Sequence, residues 1–271
     1  MRNDFKMIAG LTASALLILA SAVPVLSFAA RPAENMVRIP AGPFIMGSDE
    51  TDGIIGIDVG VDETPRHRVT LPSFDIDRYE VTNGEYQEFI RATGHRVPSE
   101  PRFPQYFEWK NGKVPNGQED YPVSYIDFED ADAYCKWRGK RLPTEEEWEK
   151  AARGTDGRKW PWGNRFDPKK CNTDDSHLYW TVPVGSLPEG ASPYGVMDMC
   201  GNVAEWTSSW YKPYPGNTLQ REAFGEKFKV VRGGAWSLPA HPFSRTSHRS
   251  YAVRPEKRHR SIGFRCVRNA G

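Results

Sequence analysis

The sequence predicts an α+β fold, a single domain with little regular secondary structure, and three observations predict it. The first is composition: 22 prolines and 24 glycines among 271 residues, with 9 Trp, 11 Tyr and 13 Phe, suit short elements joined by fixed turns around a core of large rings. The second is that every well-signalled helix lies between Thr82 and Gly154. The third is that apolar runs elsewhere are short and set between Gly, Pro and Asn turns. No repeat, low-complexity tract or linker divides the chain, so one domain is expected over 36–271.

The first thirty residues stand apart. Arg2 and Lys6 precede an apolar run from Met7 to Val25, which ends in the small residues around Ser27-Phe28-Ala29-Ala30. That order predicts an export signal over 1–30, with a periplasmic or secreted product. Thr12, Ser14, Ser21 and Pro24 weaken the alternative of a membrane anchor, so contact with a membrane is expected only if the segment stays uncleaved.

Met36-Val37-Arg38-Ile39-Pro40 alternates as a strand, and Gly42-Pro43 marks a turn into a second, which together predict a β-hairpin. The acidic, Gly-rich stretch from Ser48 to Glu63 reads as a surface loop folding back on the domain or meeting a partner. The first helix begins at Thr82, with Glu85 three residues on, and stops at Gly94. A second runs from Asp127 to Gly139 and turns Cys135 toward the protein. The third starts at Pro143-Thr144 with Glu145-Glu146-Glu147 in its first turn, where the helix dipole favours acid, and ends at Gly154. Beyond it only short pieces are apolar, among them Val182-Pro183-Val184, Val230-Val231 and Phe264-Arg265-Cys266-Val267.

Lys and Arg number 36 against 35 Asp and Glu, so neither nucleic acid nor an anionic surface is expected as a partner. There is no Gly-rich phosphate loop, His-Glu-x-x-His helix or Gly-x-Ser-x-Gly elbow. In an oxidising compartment Cys135, Cys171, Cys200 and Cys266 read as two disulfides, for which sequence permits three pairings.

Five segments in order resemble the formylglycine-generating-enzyme (sulfatase-modifying factor) family: Ile39-Pro40-Ala41-Gly42 with Met46-Gly47; Glu80-Val81-Thr82-Asn83; Arg141-Leu142-Pro143-Thr144-Glu145-Glu146-Glu147-Trp148-Glu149; Gly201-Asn202-Val203-Ala204-Glu205-Trp206; and Arg232-Gly233-Gly234-Ala235-Trp236 leading to Gly263-Phe264-Arg265-Cys266. The resemblance implies a compact domain related in shape to C-type lectins. It implies a Cys135–Cys266 disulfide, leaving Cys171 and Cys200 to pair with each other. It also implies structural calcium: one site at Asp198, Gly201, Val203 and Glu205, and a second at Asn172, Thr173, Ser176 and Leu178, with Asp174 or Asp175 as substitutes. Oxygen donors on irregular backbone are what that ion takes.

The family's oxidase holds copper through two cysteines after the glycine pair, and here those places are Leu238 and Phe243. Neither can bind a metal, so copper is not expected and the thiolate mechanism is lost. The same region carries donors and rings, and Trp236, Ser237, His241, Arg245, His248 and Arg249 are the expected lining of a cleft for an anionic or peptide ligand. Relatives without the cysteine pair, in pyoverdine-chromophore and nitrite-reductase contexts, imply an accessory factor that matures another exported enzyme or a small-molecule metabolite. The alternatives are a non-catalytic peptide or glycan binding module, and a formylglycine-generating oxidase by an altered mechanism.

Overall fold

The computed structural model describes residues 35–49, 52–54, 57–99, 109 and 112–271; of residues 52–54, 57–59 and 251 it describes the backbone alone. The signal expected over 1–30 lies outside the described residues. Among those described, no helix is long and apolar enough to cross a membrane.

Three capping boxes set the main helices. In α1 (Asn83–Thr93), Thr82 Oγ1 accepts from Glu85 N at 3.2 Å while Glu85 Oε2 accepts from Thr82 N at 2.9 Å. Asp127 and Asp130 exchange the same pair of bonds at the start of α2 (Phe128–Trp137), and Thr144 and Glu147 do so for α3 (Glu145–Arg153). Each box satisfies two backbone donors that the first helical turn leaves open. Gly94 ends α1 at a φ of 71°, a left-handed turn that a side chain would resist.

The strands pair in an order that local pattern does not reveal. β1 (Met36–Ile39) and β11 (Val267–Asn269) flank β6 (Phe74–Asp77), both antiparallel to it. β2 (Gly42–Met46) pairs with β5 (His67–Leu71), so the hairpin expected from β1 and β2 is not formed. The reason is that their apolar sides belong to different cores. Val37 and Ile39 pack with Phe74, Ile76 and Val267, whereas Phe44 and Met46 pack with Tyr214. Lys150 Nζ from α3 holds the intervening turn by donating to Pro40 O at 2.7 Å and Gly42 O at 2.9 Å.

Within 48–63 the described residues include paired strands: β3 (Asp52–Ile54) lies antiparallel to β4 (Ile57–Val59), and a 3-10 turn, Val61–Glu63, follows, whose Asp62 and Glu63 are buried. A second sheet runs β10 (Ile262–Gly263), β7 (Ala204–Trp210), β8 (Lys229–Arg232) and β9 (Arg249–Val253), with β10 parallel to β7 and the others antiparallel. A short helix, α4 (Ala240–Phe243), precedes β9.

The largest core lies between α1, α2 and this second sheet, where Tyr86, Phe89, Tyr134 and Phe264 meet at ring distances of 5.3–6.4 Å. The Cys135–Cys266 disulfide crosses it, joining residues 131 apart. Closing so long a loop contributes about 4–5 kcal/mol in the chain-entropy model. Cys171 and Cys200 are different: the bridge expected between them is not formed. Both are buried thiols beside Trp160 and Ala240, and Cys171 Sγ turns to Thr173 Oγ1 at 3.8 Å. Burial, and then the neighbouring Cys171, raises the Cys200 thiol well above its ordinary range.

Candidate functional site

The glycine pair after β8 aims the functional loop. Gly233 and Gly234 hold φ values of 98° and 71°, and a Cβ on Gly234 would collide with Ser244. The chain therefore leaves β8 sharply, and Trp236 N donates to Asn202 O at 3.0 Å. Asn202, itself left-handed at φ 62°, knits three loops: its Oδ1 accepts from Val182 N at 3.0 Å and Asn172 Nδ2 at 3.1 Å. Asn172 Nδ2 donates also to Trp180 O at 2.9 Å.

This bracing presents an aromatic shelf. The rings of Trp180 and Trp236 lie 4.8 Å apart, and the exposed Arg260 guanidinium stands 5.0 Å over the Trp236 ring. Leu178, Tyr179 and Trp180 are 46%, 68% and 38% exposed, an uncommon run for large apolar side chains. Trp236 is only 7% exposed, and its indole Nε1 has no hydrogen-bond partner among the described residues. A buried N–H left open costs roughly 1–3 kcal/mol. Ser237, next in sequence, has its Oγ 3.2 Å from Ser261 Oγ.

The six residues expected to line one cleft do not come together. Trp236 and Ser237 belong to the shelf, and His241 is exposed on α4. Arg245, His248 and Arg249 turn inward, because each finds a buried carboxylate. His248 Nδ1 is 2.5 Å from Glu63 Oε1, with Arg245 3.5 Å from the other oxygen. Arg249 makes a two-pronged bond to Glu145 at 2.8 and 3.0 Å, between the rings of Tyr211 and Tyr214. Burial works to raise the Glu63 carboxyl, but the hydrogen bond and charge of His248, with Arg245 behind, bring it down to about 2. Trp180 and Tyr179 were not singled out from sequence; the signal was there in three consecutive large apolar residues, Leu178-Tyr179-Trp180, within a polar loop.

The two oxygen-donor sets differ in their fit to calcium. Around Asp198 and Glu205 a third acid, Glu80, is buried, and one arginine, Arg265, faces them. Burial, then the charges of Asp198 and Glu205, raises Glu80 well above the usual carboxylate range. That excess of acid suits a cation, which Asp198, whose Oδ2 also accepts from Gly185 N at 2.6 Å, would hold with the carbonyls of Gly201 and Val203. Glu205, however, already takes Arg265 at 2.7 Å on both oxygens and Trp148 Nε1 at 3.0 Å. The second set closes on itself instead: Ser176 Oγ donates to Thr173 O and Asn172 Oδ1, Asp175 Oδ2 accepts from Ala240 N, and Leu178 faces outward on the shelf. It does not fit an ion. Among the described residues no three His, Cys, Asp or Glu side chains are grouped to hold a metal unaided.

The family model for the sulfatase-modifying factor enzyme 1-like domain matches residues 23–270. The chain belongs to this family. It is 32% identical over 285 residues to the inactive C-alpha-formylglycine-generating enzyme 2 of Mus musculus, covering 87% of this chain and 86% of that protein. The formylglycine-generating enzyme of Bos taurus is 30% identical, over 87% of this chain and 75% of its own. Among solved structures, PvdO from Pseudomonas aeruginosa superposes with a TM-score of 0.66 at 31% identity, covering 87% and 94%. The α+β frame of this family is thus present, with Leu238 and Phe243 in the segment that follows the glycine pair.

Proposed function

We propose that this family member is an exported accessory factor that holds a carbonyl-bearing partner, a protein segment or a metabolite, on the aromatic shelf while that partner is matured, without copper-thiolate oxidation. One observation carries the reading: Leu238 and Phe243, which offer neither metal ligand nor nucleophile, follow Trp236, whose buried N–H has no partner among the described residues and whose ring lies beside Trp180 and Arg260. A relative named as inactive supports it. Shelf and donor bind and orient; the chain's own residues there move no electrons.

The test is a photoreactive residue placed at position 180 in the native host, with mass spectrometry of what it captures. One exported partner, lost when Trp236 is replaced by Phe, is the expected result. Aldehyde formation on a cysteine-containing sulfatase peptide with copper would overturn the reading. Saturable binding with no later change in the captured molecule would favour a non-catalytic binding module, which the open aromatic face also suits. Calcium at Asp198, Gly201 and Val203 belongs to the same proposal as a brace for the loop that ends at Asn202, and an unchanged melting midpoint with chelator would remove it.

A further inference from the structure

Taking the aromatic shelf as the binding face, as proposed above, we infer that its occupant carries a carboxylate beside an aromatic ring. Arg260 decides the charge. Arg232, Arg249, Arg258 and Arg265, from the same part of the chain, each take a carboxylate. Arg260 differs: it is exposed, no ion pair or hydrogen bond uses it among the described residues, and its guanidinium stands 5.0 Å over the Trp236 ring. Asp174 and Asp175 precede the shelf residues in sequence, but Asp175 accepts from Ala240 N at 2.7 Å and neither acid pairs with Arg260.

A ring attracts a guanidinium through its charge but offers no pair of acceptors for its fork of N–H groups. The contact with Trp236 therefore restrains Arg260 and leaves those donors for an oxyanion, and the two oxygens of a carboxylate match them. The rest of the shelf asks for a ring. Trp180 meets Trp236 at 44°, a wedge rather than a closed stack, and it is 38% exposed with Tyr179 at 68% beside it in sequence. Aromatic surfaces set at such angles gain from a further ring beyond the area it covers. A neutral ring would leave the Arg260 donors to water, and a bare carboxylate would leave the indoles uncovered. A molecule with both groups uses the whole shelf.

Heteronuclear NMR of the indole N–H groups in the whole protein tests the inference, the Trp180 and Trp236 signals being assigned by their loss in Trp180→Phe and Trp236→Phe. N-acetylphenylalanine is expected to shift both signals saturably. Its neutral amide should bind with a dissociation constant at least about tenfold higher, and acetate should give no saturable shift. Arg260→Gln, at an exposed position and with an unchanged melting midpoint, should lower the affinity for the acid to that for the amide. Equal binding of acid and amide, or undiminished binding of the acid in Arg260→Gln, would overturn the carboxylate and leave the shelf standing as an apolar face. No shift of either indole with the acid would overturn the inference as a whole, while capture at position 180 still judges the shelf itself. Tighter binding of a short peptide that ends in phenylalanine with a free carboxylate would assign a protein chain end, and weaker binding a free aromatic acid.

Discussion

Two regions to which the chain from Arg232 to Arg265 contributes behave oppositely. Inside, behind β8 and β9, Arg232, Arg245, Arg249 and Arg265 each meet a buried glutamate, and the glutamates come from distant parts of the chain, Glu63 to Glu205. Outside, on the shelf, Trp180 and Tyr179 are exposed, and the Trp236 indole N–H has no partner among the described residues. The inner region is a frame of paired charges; the outer one is an exposed apolar face. Ligand binding belongs where apolar surface is left uncovered, and the density of arginine in this stretch reports on the frame rather than on a site.

That contrast can be broken most directly from the inside. Glu149→Ala strands Arg153 and Arg232 together in the interior and is expected to cost about 3–5 kcal/mol in denaturant unfolding. A loss below about 1 kcal/mol would mean the frame is not what holds β8 on α3. Next in size is acid sensitivity. Glu63 is depressed to about 2 from an ordinary 4.5, so its contribution is fully present above 4.5 and is lost as pH falls through 2. The effect is on the order of 3 kcal/mol, and Glu63→Gln should flatten stability across that window. The shelf should respond in the reverse manner. Trp180→Ala is expected to change stability by at most about 1–2 kcal/mol, since its ring is part-exposed, while weakening capture of a carbonyl-bearing ligand at least about tenfold. Equal losses of stability and capture would make the shelf part of the core. Smallest is the thiol pair: alkylation of native protein should leave Cys171 and Cys200 unmodified, and modify both once unfolded. Recovery of a Cys171–Cys200 peptide without reduction would instead establish the bridge.

Helix ends were legible in the sequence because a capping box is local: Thr82 with Glu85, and Thr144 with Glu147, carry their own partners three residues away. Strand partners were not, since β1 answers to β6 and β11 rather than to its neighbour β2, and only the packing of Ile39 against Phe74 decides it. β7, the longest strand, was hidden because Glu205, Thr207 and Ser208 break its apolar pattern, Glu205 being inward only by virtue of Arg265. The same blindness affected the site. Arg245 and Arg249 look alike in sequence whether they face water or a buried glutamate, whereas Trp236 was found through the glycine pair that directs it.

The sheet order has a consequence for how the molecule comes into being. β6 needs strands from both ends of the chain, β1 from its beginning and β11 from residues 267–269, and Arg141 before α3 also bonds Val267 across its backbone. A ribosome delivers these from N-terminus to C-terminus, so for nearly the whole of synthesis Phe74 and Ile76 wait with one edge of their sheet open. Pairings this distant carry a large loop-closure cost and form late. The sheet therefore closes only once residues 267–269 reach β6, and until then its open edge is exposed to whatever the chain meets.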